Sequence, residues 1–255
     1  MSQMSFSCTA LQGVNKVGVL KPDADGYYTV VLGALDFKNS YGAVYPEAPA
    51  KELFKQSSSF MRRVKNAQCR GEYGHPKREP GMSDQDFIRR VLTIEETRTC
   101  VHIADCWIDY TSVKGPGGTP CIAIIGKVRP AGPYGSTLEA QFANPKENVA
   151  FSIRSLTEDR WIGGVLHKFL TEIVCWDYVN EPGLSVATKY NSPALEAISQ
   201  DHIVTEASLR AVKRDITLSG NVGFESGLQI IDSAIAHLSS RRNTARSTRA
   251  PSSGW

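Results

Sequence analysis

Two side chains have the chemistry of a nucleophile and a base. Ser152 interrupts the otherwise apolar segment 148–156, and His75 lies between Gly74 and Pro76, where turn-forming residues hold the backbone and expose an imidazole. A hydrolytic serine needs a base within hydrogen-bond reach, a group that orients the base, and donors for the oxyanion. Such groups assemble in space and not along the chain. The residues alone therefore also allow Ser152 to be an ordinary strand serine that faces solvent or bonds to the backbone.

The other histidines have settings that favour structural roles. His102 lies on one face of an alternating strand, which is typical of a half-buried, hydrogen-bonded histidine. His167 begins another strand beside a lysine, and we expect it to be exposed. His202 and His237 fall in a C-terminal region of different character.

Five short segments resemble, in the same order, motifs of the prohead core proteases of tailed bacteriophages. The most specific is GEYGHP at 71–76, which is similar to a Gly-Glu-Leu-x-His-Pro motif whose histidine is catalytic. FSIRS at 151–155 resembles a Val-Ser-Ser-Arg-Gly motif whose first serine is the nucleophile. The remaining matches are NSYGAVYP at 39–46, IADCW at 103–107 and VCWDYVNEP at 174–182, the last resembling a closing Val-Asp-Ala-Val-x-x-Pro strand.

The resemblance implies a serine endopeptidase in which Ser152 is the nucleophile and His75 its base. It makes Asp177 the first choice for the residue that orients His75, because Asp177 lies on the strand after the nucleophile strand. Asp105 and His102 are the alternatives. The family is similar in fold to herpesvirus assembly proteases, in which the third member is a second histidine.

Arg154 lies two residues after Ser152, so on a strand both side chains point to the same face. Its charge would support the oxyanion directly or through water. The alternative is a surface arginine paired with Glu158 or Asp159.

Three positions depart from the family motifs. Ile153 replaces the second serine, Ser155 replaces the glycine, and Ala43 replaces a basic residue. These changes motivate a second hypothesis, in which the chain is a catalytically inactive scaffold or core protein of the prohead with the protease fold.

The resemblance also implies the substrates and the location. They would be scaffold, core and major capsid proteins of the phage, cleaved after Glu with a small residue two positions upstream, inside the assembling prohead in the host cytoplasm. The same pattern occurs at Glu196 and Glu225, which are therefore candidate self-cleavage sites.

Composition sets limits on other functions. The net formal charge is +3, and four arginines crowd the last 15 residues (Arg241, Arg242, Arg246 and Arg249). We expect a solvated, disordered tail, so nucleic acid is an expected partner only through these arginines. A homo-oligomer is compatible with the sequence. No apolar run has the length of a membrane span, and no secretory signal is evident.

The cysteines lack the spacing of a metal site or a disulfide framework. They are Cys8, Cys69, Cys100, Cys106, Cys121 and Cys175. Reduced thiols are the simplest account, and we expect neither a metal nor an organic cofactor.

The elements that must position these residues are mostly strands. The patterns predict strands at 26–37, 98–110, 120–128, 148–156 and 166–179, with a turn at 157–159. They predict helices over 47–66, over 136–143 and in stretches of 193–238, and an exposed loop or a short helix after Ser83. With the resemblance, we expect an α+β fold in which a mostly antiparallel, barrel-like β core is surrounded by helices. The protease domain would span 15–190, followed by a helical and disordered region at 191–255, open to removal by self-cleavage.

Overall fold

Two antiparallel sheets form the framework of the protein. The computed structural model describes residues 3–11, 22–39, 41–114, 118, 120–180, 202–219 and 225–247. The strands are β1 (Gln3–Leu11), β2 (Tyr28–Leu35), β3 (Arg70–Glu72), β4 (Thr99–Asp109), β5 (Ile122–Pro130), β6 (Ala150–Ile162), β7 (Val165–Val179) and β8 (His202–Thr205). The helices are α1 (Glu47–Leu53), α2 (Ser59–Lys65), α3 (Asp84–Leu92), α4 (Gly135–Ala143), α5 (Glu206–Ser219) and α6 (Glu225–Ser247), with a short 3₁₀ helix at Glu96–Arg98.

One sheet has the strand order β7-β6-β1-β8 and the other β2-β5-β4-β3. All paired neighbours within the sheets are antiparallel. The mixed helix and antiparallel-sheet class is therefore as expected. The barrel-like core was expected too, but these strands do not close into one barrel. Across the described residues the edge strands β3 and β7 meet near an isolated bridge between Tyr73 and Tyr178.

The alternation of β6 decides on which face of the sheet Ser152 and Arg154 lie. Phe151 and Ile153 belong to the main hydrophobic cluster, which fills the space between the sheets. Leu156 belongs to a second cluster on the opposite face, formed with α3, α5 and α6. Because alternate residues of a strand point to opposite faces, Ser152 and Arg154 lie on the face that these helices cover.

Most predicted elements are present, but one helix and one turn differ from the prediction, and the strands β1, β3 and β8 were not predicted. The helix predicted over 47–66 is split into α1 and α2, because Ser58 caps a new helix by accepting a hydrogen bond from the Met61 N–H. The predicted turn at 157–159 is wrong, since β6 continues to Ile162. The reversal occurs instead at Gly163 and Gly164, whose φ angles of 57° and 76° suit glycine.

The C-terminal region shares a sheet and a core with the rest of the chain. β8 pairs with β1, which itself pairs with β6. Both α5 and α6 contribute side chains to the second cluster: Leu209, Val212, Ile216, Ile230, Ile231, Ala234, Ile235 and Leu238. A boundary at residue 190 therefore separates residues that are packed together, and β1 lies before the expected start at 15. The segment expected to be a disordered arginine-rich tail begins within α6.

Candidate active site

The GEYGHP segment can approach the second sheet because of its glycines. A Cβ atom on Gly71 would lie 1.9 Å from the carbonyl oxygen of Trp176, so only glycine permits this contact between β3 and β7. Gly74 has a φ of 86°, and its N–H donates to the Tyr178 carbonyl over 2.8 Å. The residue before His75 is therefore hydrogen-bonded to the backbone of β7.

His75 meets Asp177 at this point. The Nδ1 atom of His75 lies 2.9 Å from Oδ2 of Asp177. An ionised carboxylate only accepts hydrogen bonds, so Nδ1–H is the donor and Nε2 is the nitrogen left to accept a proton. Asp177 is fully buried, whereas the side chain of His75 is 17% exposed. This arrangement fixes the imidazole in the tautomer that a general base requires.

Ser152 lies directly opposite Asp177 in the ladder between β6 and β7. Residues paired in this way point to the same face of a sheet, with Cβ atoms about 4.5–5.5 Å apart. The hydroxyl of Ser152 is therefore on the same face as the Asp177 carboxylate and the imidazole bound to it. Ser152 is only 1% exposed, so it is not the solvent-facing strand serine that the residues alone allowed.

Arg154 is also completely buried beneath Asp177. Its Nε and Nη2 atoms donate to the two carboxylate oxygens of Asp177, each over 2.8 Å. Its Nη1 donates to Glu72 over 3.2 Å and to the Thr93 carbonyl over 3.1 Å. The alternative of a surface arginine paired with Glu158 or Asp159 is therefore wrong. Glu158 is near Arg160 and His237, and Asp159 near Lys168.

The Asp177 carboxylate is held in its ionised form. Burial by itself would raise its pKa, but the charge of Arg154 and the hydrogen bond from His75 outweigh that effect and hold the pKa well below its usual range. The Glu72 N–H and the Cys175 thiol donate to the same carboxylate, over 2.9 and 3.3 Å. The group remains negative throughout the neutral pH range.

Asp105 and His102, the alternatives to Asp177, make contacts elsewhere. Asp105 accepts a hydrogen bond from the Cys106 N–H, and His102 lies 3.1 Å from the Tyr27 hydroxyl. Burial lowers the pKa of His102. Of the self-cleavage candidates, Glu225 is the first residue of α6, and Glu196 lies outside the described residues.

The sequence patterns did not single out Glu72 or Arg90. Glu72 is fully buried and accepts hydrogen bonds from both Arg154 and Arg90, the latter at the end of α3. The only available signal was the place of Glu72 within the GEYGHP segment. Nothing in the polar segment 77–90 distinguished Arg90 from the other charged residues there.

A cysteine nucleophile finds no support among the described side chains. For the five cysteines whose side chains the structure describes, all but Cys8, burial raises the pKa, for example that of Cys69 to about 11, and keeps the thiols protonated. The described residues contain no group of acidic, histidine or cysteine side chains placed to hold a metal.

None of the described helices is long and apolar enough to cross a membrane.

A family model and a phage protein each match most of this sequence. A model of the Peptidase S80 family matches residues 6–234. The chain is 39% identical over 230 residues to a capsid maturation protease of Pseudomonas phage phiKZ, covering 88% of this chain and 83% of the relative. The structure of the bacteriophage T4 capsid assembly protease matches with a TM-score of 0.44 and 13% identity, covering 69% of this chain and 99% of that chain.

Proposed function

Because the chain belongs to the Peptidase S80 family, we propose that it is a serine endopeptidase that matures the phage prohead. Its phiKZ relative is a capsid maturation protease. The proposed substrates are scaffold, core and major capsid proteins inside the assembling prohead of an infected cell, cleaved after Glu with a small residue two positions upstream.

In the proposed mechanism His75 removes the proton of Ser152 while the hydroxyl oxygen attacks a peptide carbonyl. The protonated imidazole is stabilised by Asp177 and returns its proton to the leaving amine. Water then hydrolyses the acyl-enzyme with His75 again as base. The observation that carries this proposal is the 2.9 Å contact between His75 Nδ1 and an Asp177 that lies opposite Ser152 in the ladder.

Arg154 has a different role in this mechanism from the one expected from its spacing. Each of its guanidinium nitrogens already has a partner in Asp177, Glu72 or the Thr93 carbonyl. We therefore propose that Arg154 acts through Asp177 and does not touch the oxyanion. Backbone N–H groups would then be the oxyanion donors.

The test is Ser152→Ala in a cell that produces the protein with the head proteins of its phage. The proposal predicts that processing of scaffold and capsid proteins stops while the variant remains folded, because one buried oxygen atom is removed. The matched control is Ser59→Ala, which also removes a buried hydroxyl, hydrogen-bonded to Glu172, and should leave processing intact. Unchanged processing in the Ser152→Ala variant would exclude Ser152 as the nucleophile.

Self-cleavage after Glu196 or Glu225 remains part of the proposal. Because β8, α5 and α6 are packed onto the rest of the chain, the released segment should stay bound after either cut. Mass spectrometry under denaturing conditions would find chains ending at Glu196 or Glu225, and native size exclusion would find the pieces together. Purified, active protein in which no chain ends at Glu196 or Glu225 would contradict self-cleavage at these sites.

The second candidate function is an inactive scaffold or core protein. The 1% exposure of Ser152 favours it, since a polypeptide substrate reaches this hydroxyl only after surrounding residues move. Labelling of the full chain by a fluorophosphonate that reacts with activated serines separates the two functions. Labelling of the wild-type chain that disappears in Ser152→Ala supports the enzymatic function. A wild-type chain that is not labelled under conditions of prohead maturation supports the scaffold function.

A further inference from the structure

Four buried or partly buried charges extend from the imidazole to α3, and their signs alternate. His75 contacts Asp177, Asp177 pairs with Arg154, Arg154 reaches Glu72, and Glu72 accepts from Arg90 Nη1 over 2.9 Å. The side chains of Asp177, Arg154 and Glu72 are fully buried, and that of Arg90 is 19% exposed. Buried charges in such an array interact strongly, because little water screens them.

The pairing of Arg154 with Asp177 raises a question of charge. A carboxylate bound through both oxygens to an arginine has its negative charge largely neutralised, and it is then a weaker partner for a protonated imidazole. Arginine does not lose its proton in proteins, so Arg154 cannot relieve this by titrating. A second carboxylate that neutralises Arg154 returns negative potential to Asp177.

Glu72 is the residue that supplies the second carboxylate. Its backbone N–H donates to Oδ1 of Asp177 over 2.9 Å while its side chain accepts from Arg154. The same side chain is held from the other side by Arg90 and by the Glu95 N–H, which donates to Oε1 over 2.8 Å. Glu72 thus touches both members of the pair and is itself anchored on α3 and the segment that follows it.

We propose that Glu72 is a positioning residue of the active site, which balances the charge of Arg154 so that Asp177 stays negative enough to hold His75 in its catalytic tautomer. This inference rests on the proposed function for its catalytic consequence. The effect on the imidazole follows from the buried contacts alone and is measured separately.

The direct test is nitrogen NMR of ring-labelled histidine in the full chain, with the His75 signals identified by their loss in His75→Gln. Ring nitrogen shifts distinguish the Nδ1–H tautomer from the Nε2–H tautomer. In Glu72→Gln, which keeps the shape but removes the charge, we expect the His75 signals to move away from the pure Nδ1–H form. Glu172→Gln is the matched control: Glu172 is also buried, but it bonds to Ser59, so its variant should leave these signals unchanged.

The catalytic consequence is read from fluorophosphonate labelling. We expect Glu72→Gln to lower the maximum labelling rate about 10- to 100-fold, by analogy with the range seen when groups that orient metal-binding histidines are mutated. The reagent concentration for half-maximal rate should not change, because Glu72 does not touch the reagent. A merely structural role would lower the melting temperature and leave both the ring signals and this rate in the folded protein as they are.

Each outcome bears on one claim. His75 signals in Glu72→Gln identical to the wild type would overturn the proposal. Altered signals in a chain that no fluorophosphonate labels would support the positioning of His75 and refute the protease function. If Glu72→Gln fails to fold, the double variant Glu72→Gln with Arg90→Gln decides, because it removes one charge of each sign and still leaves Arg154 without its second carboxylate. Unchanged ring signals in that variant would contradict the proposal.

Discussion

Asp177→Asn is the substitution that tests the site most sharply. It removes the charge from a fully buried group that accepts hydrogen bonds from His75, Arg154 and the Glu72 N–H. An asparagine has one acceptor oxygen and one donor nitrogen, so it cannot accept from all of these donors. Either Arg154 loses a partner or the amide donates to His75 Nδ1, which moves the ring proton to Nε2 and leaves no base for Ser152.

The expected size of the effect follows from each contact. The wrong histidine tautomer costs about 10⁴-fold in rate in a serine protease triad. Removal of one partner from a buried ion pair destabilises a protein by about 3–5 kcal/mol. We therefore expect the maximum rate of fluorophosphonate labelling to fall about 10⁴-fold and the free energy of unfolding to fall by several kcal/mol.

The pH dependence of stability provides an independent measurement. Because the pKa of Asp177 is depressed in the folded protein, its contribution to stability is fully present above its unfolded pKa of about 3.9 and is lost as pH falls toward the lower folded pKa. Asp177→Asn should lack this contribution, so urea unfolding of wild type and variant should differ at pH 7 and converge below pH of about 4. Equal labelling rates and parallel stability curves would refute the reasoning.

Two further predictions concern the elements around the site. In Gly71→Ala the new Cβ must displace the Trp176 carbonyl, 1.9 Å away, so we expect loss of labelling and a clearly lower melting temperature. The control is Gly42→Ala, whose new Cβ meets nothing within 4 Å; its φ of 73° should cost about 1–2 kcal/mol of backbone strain. Equal melting temperatures for the two variants would contradict the close packing of β3 on β7. Ending the chain at residue 224 removes α6 and its five buried apolar side chains; we expect a poorly soluble protein with reduced helical circular dichroism, and a soluble, active product would show that α6 is dispensable.

Local patterns predicted much of the framework because strand alternation and helix capping depend on neighbouring residues. The strands predicted at 98–110, 120–128 and 166–179 are present as β4, β5 and β7. The segment after Ser83, predicted as an exposed loop or a short helix, forms α3. The resemblance selected Ser152, His75 and Asp177 from motif positions, and their catalytic roles remain predictions. The turn at 157–159 was wrong because a strand continues through polar residues when a neighbouring strand pairs with it, and β7 pairs with β6 through Glu158 and Asp159 as far as Ile162.

Tertiary structure alone decided which charges meet. Asp177 and His75 are 102 residues apart in the chain, and Arg154 and Glu72 are 82 apart, so no spacing rule relates them. Arginine is a residue type that usually lies at the surface. Arg154 is buried between two carboxylates only because β3 crosses over β7 and because α3 and the C-terminal helices cover this face. The sequence determined the face on which Ser152 lies, because that depends on strand alternation. The burial and charge balance of that face depend on packing between distant segments, which a linear pattern does not contain.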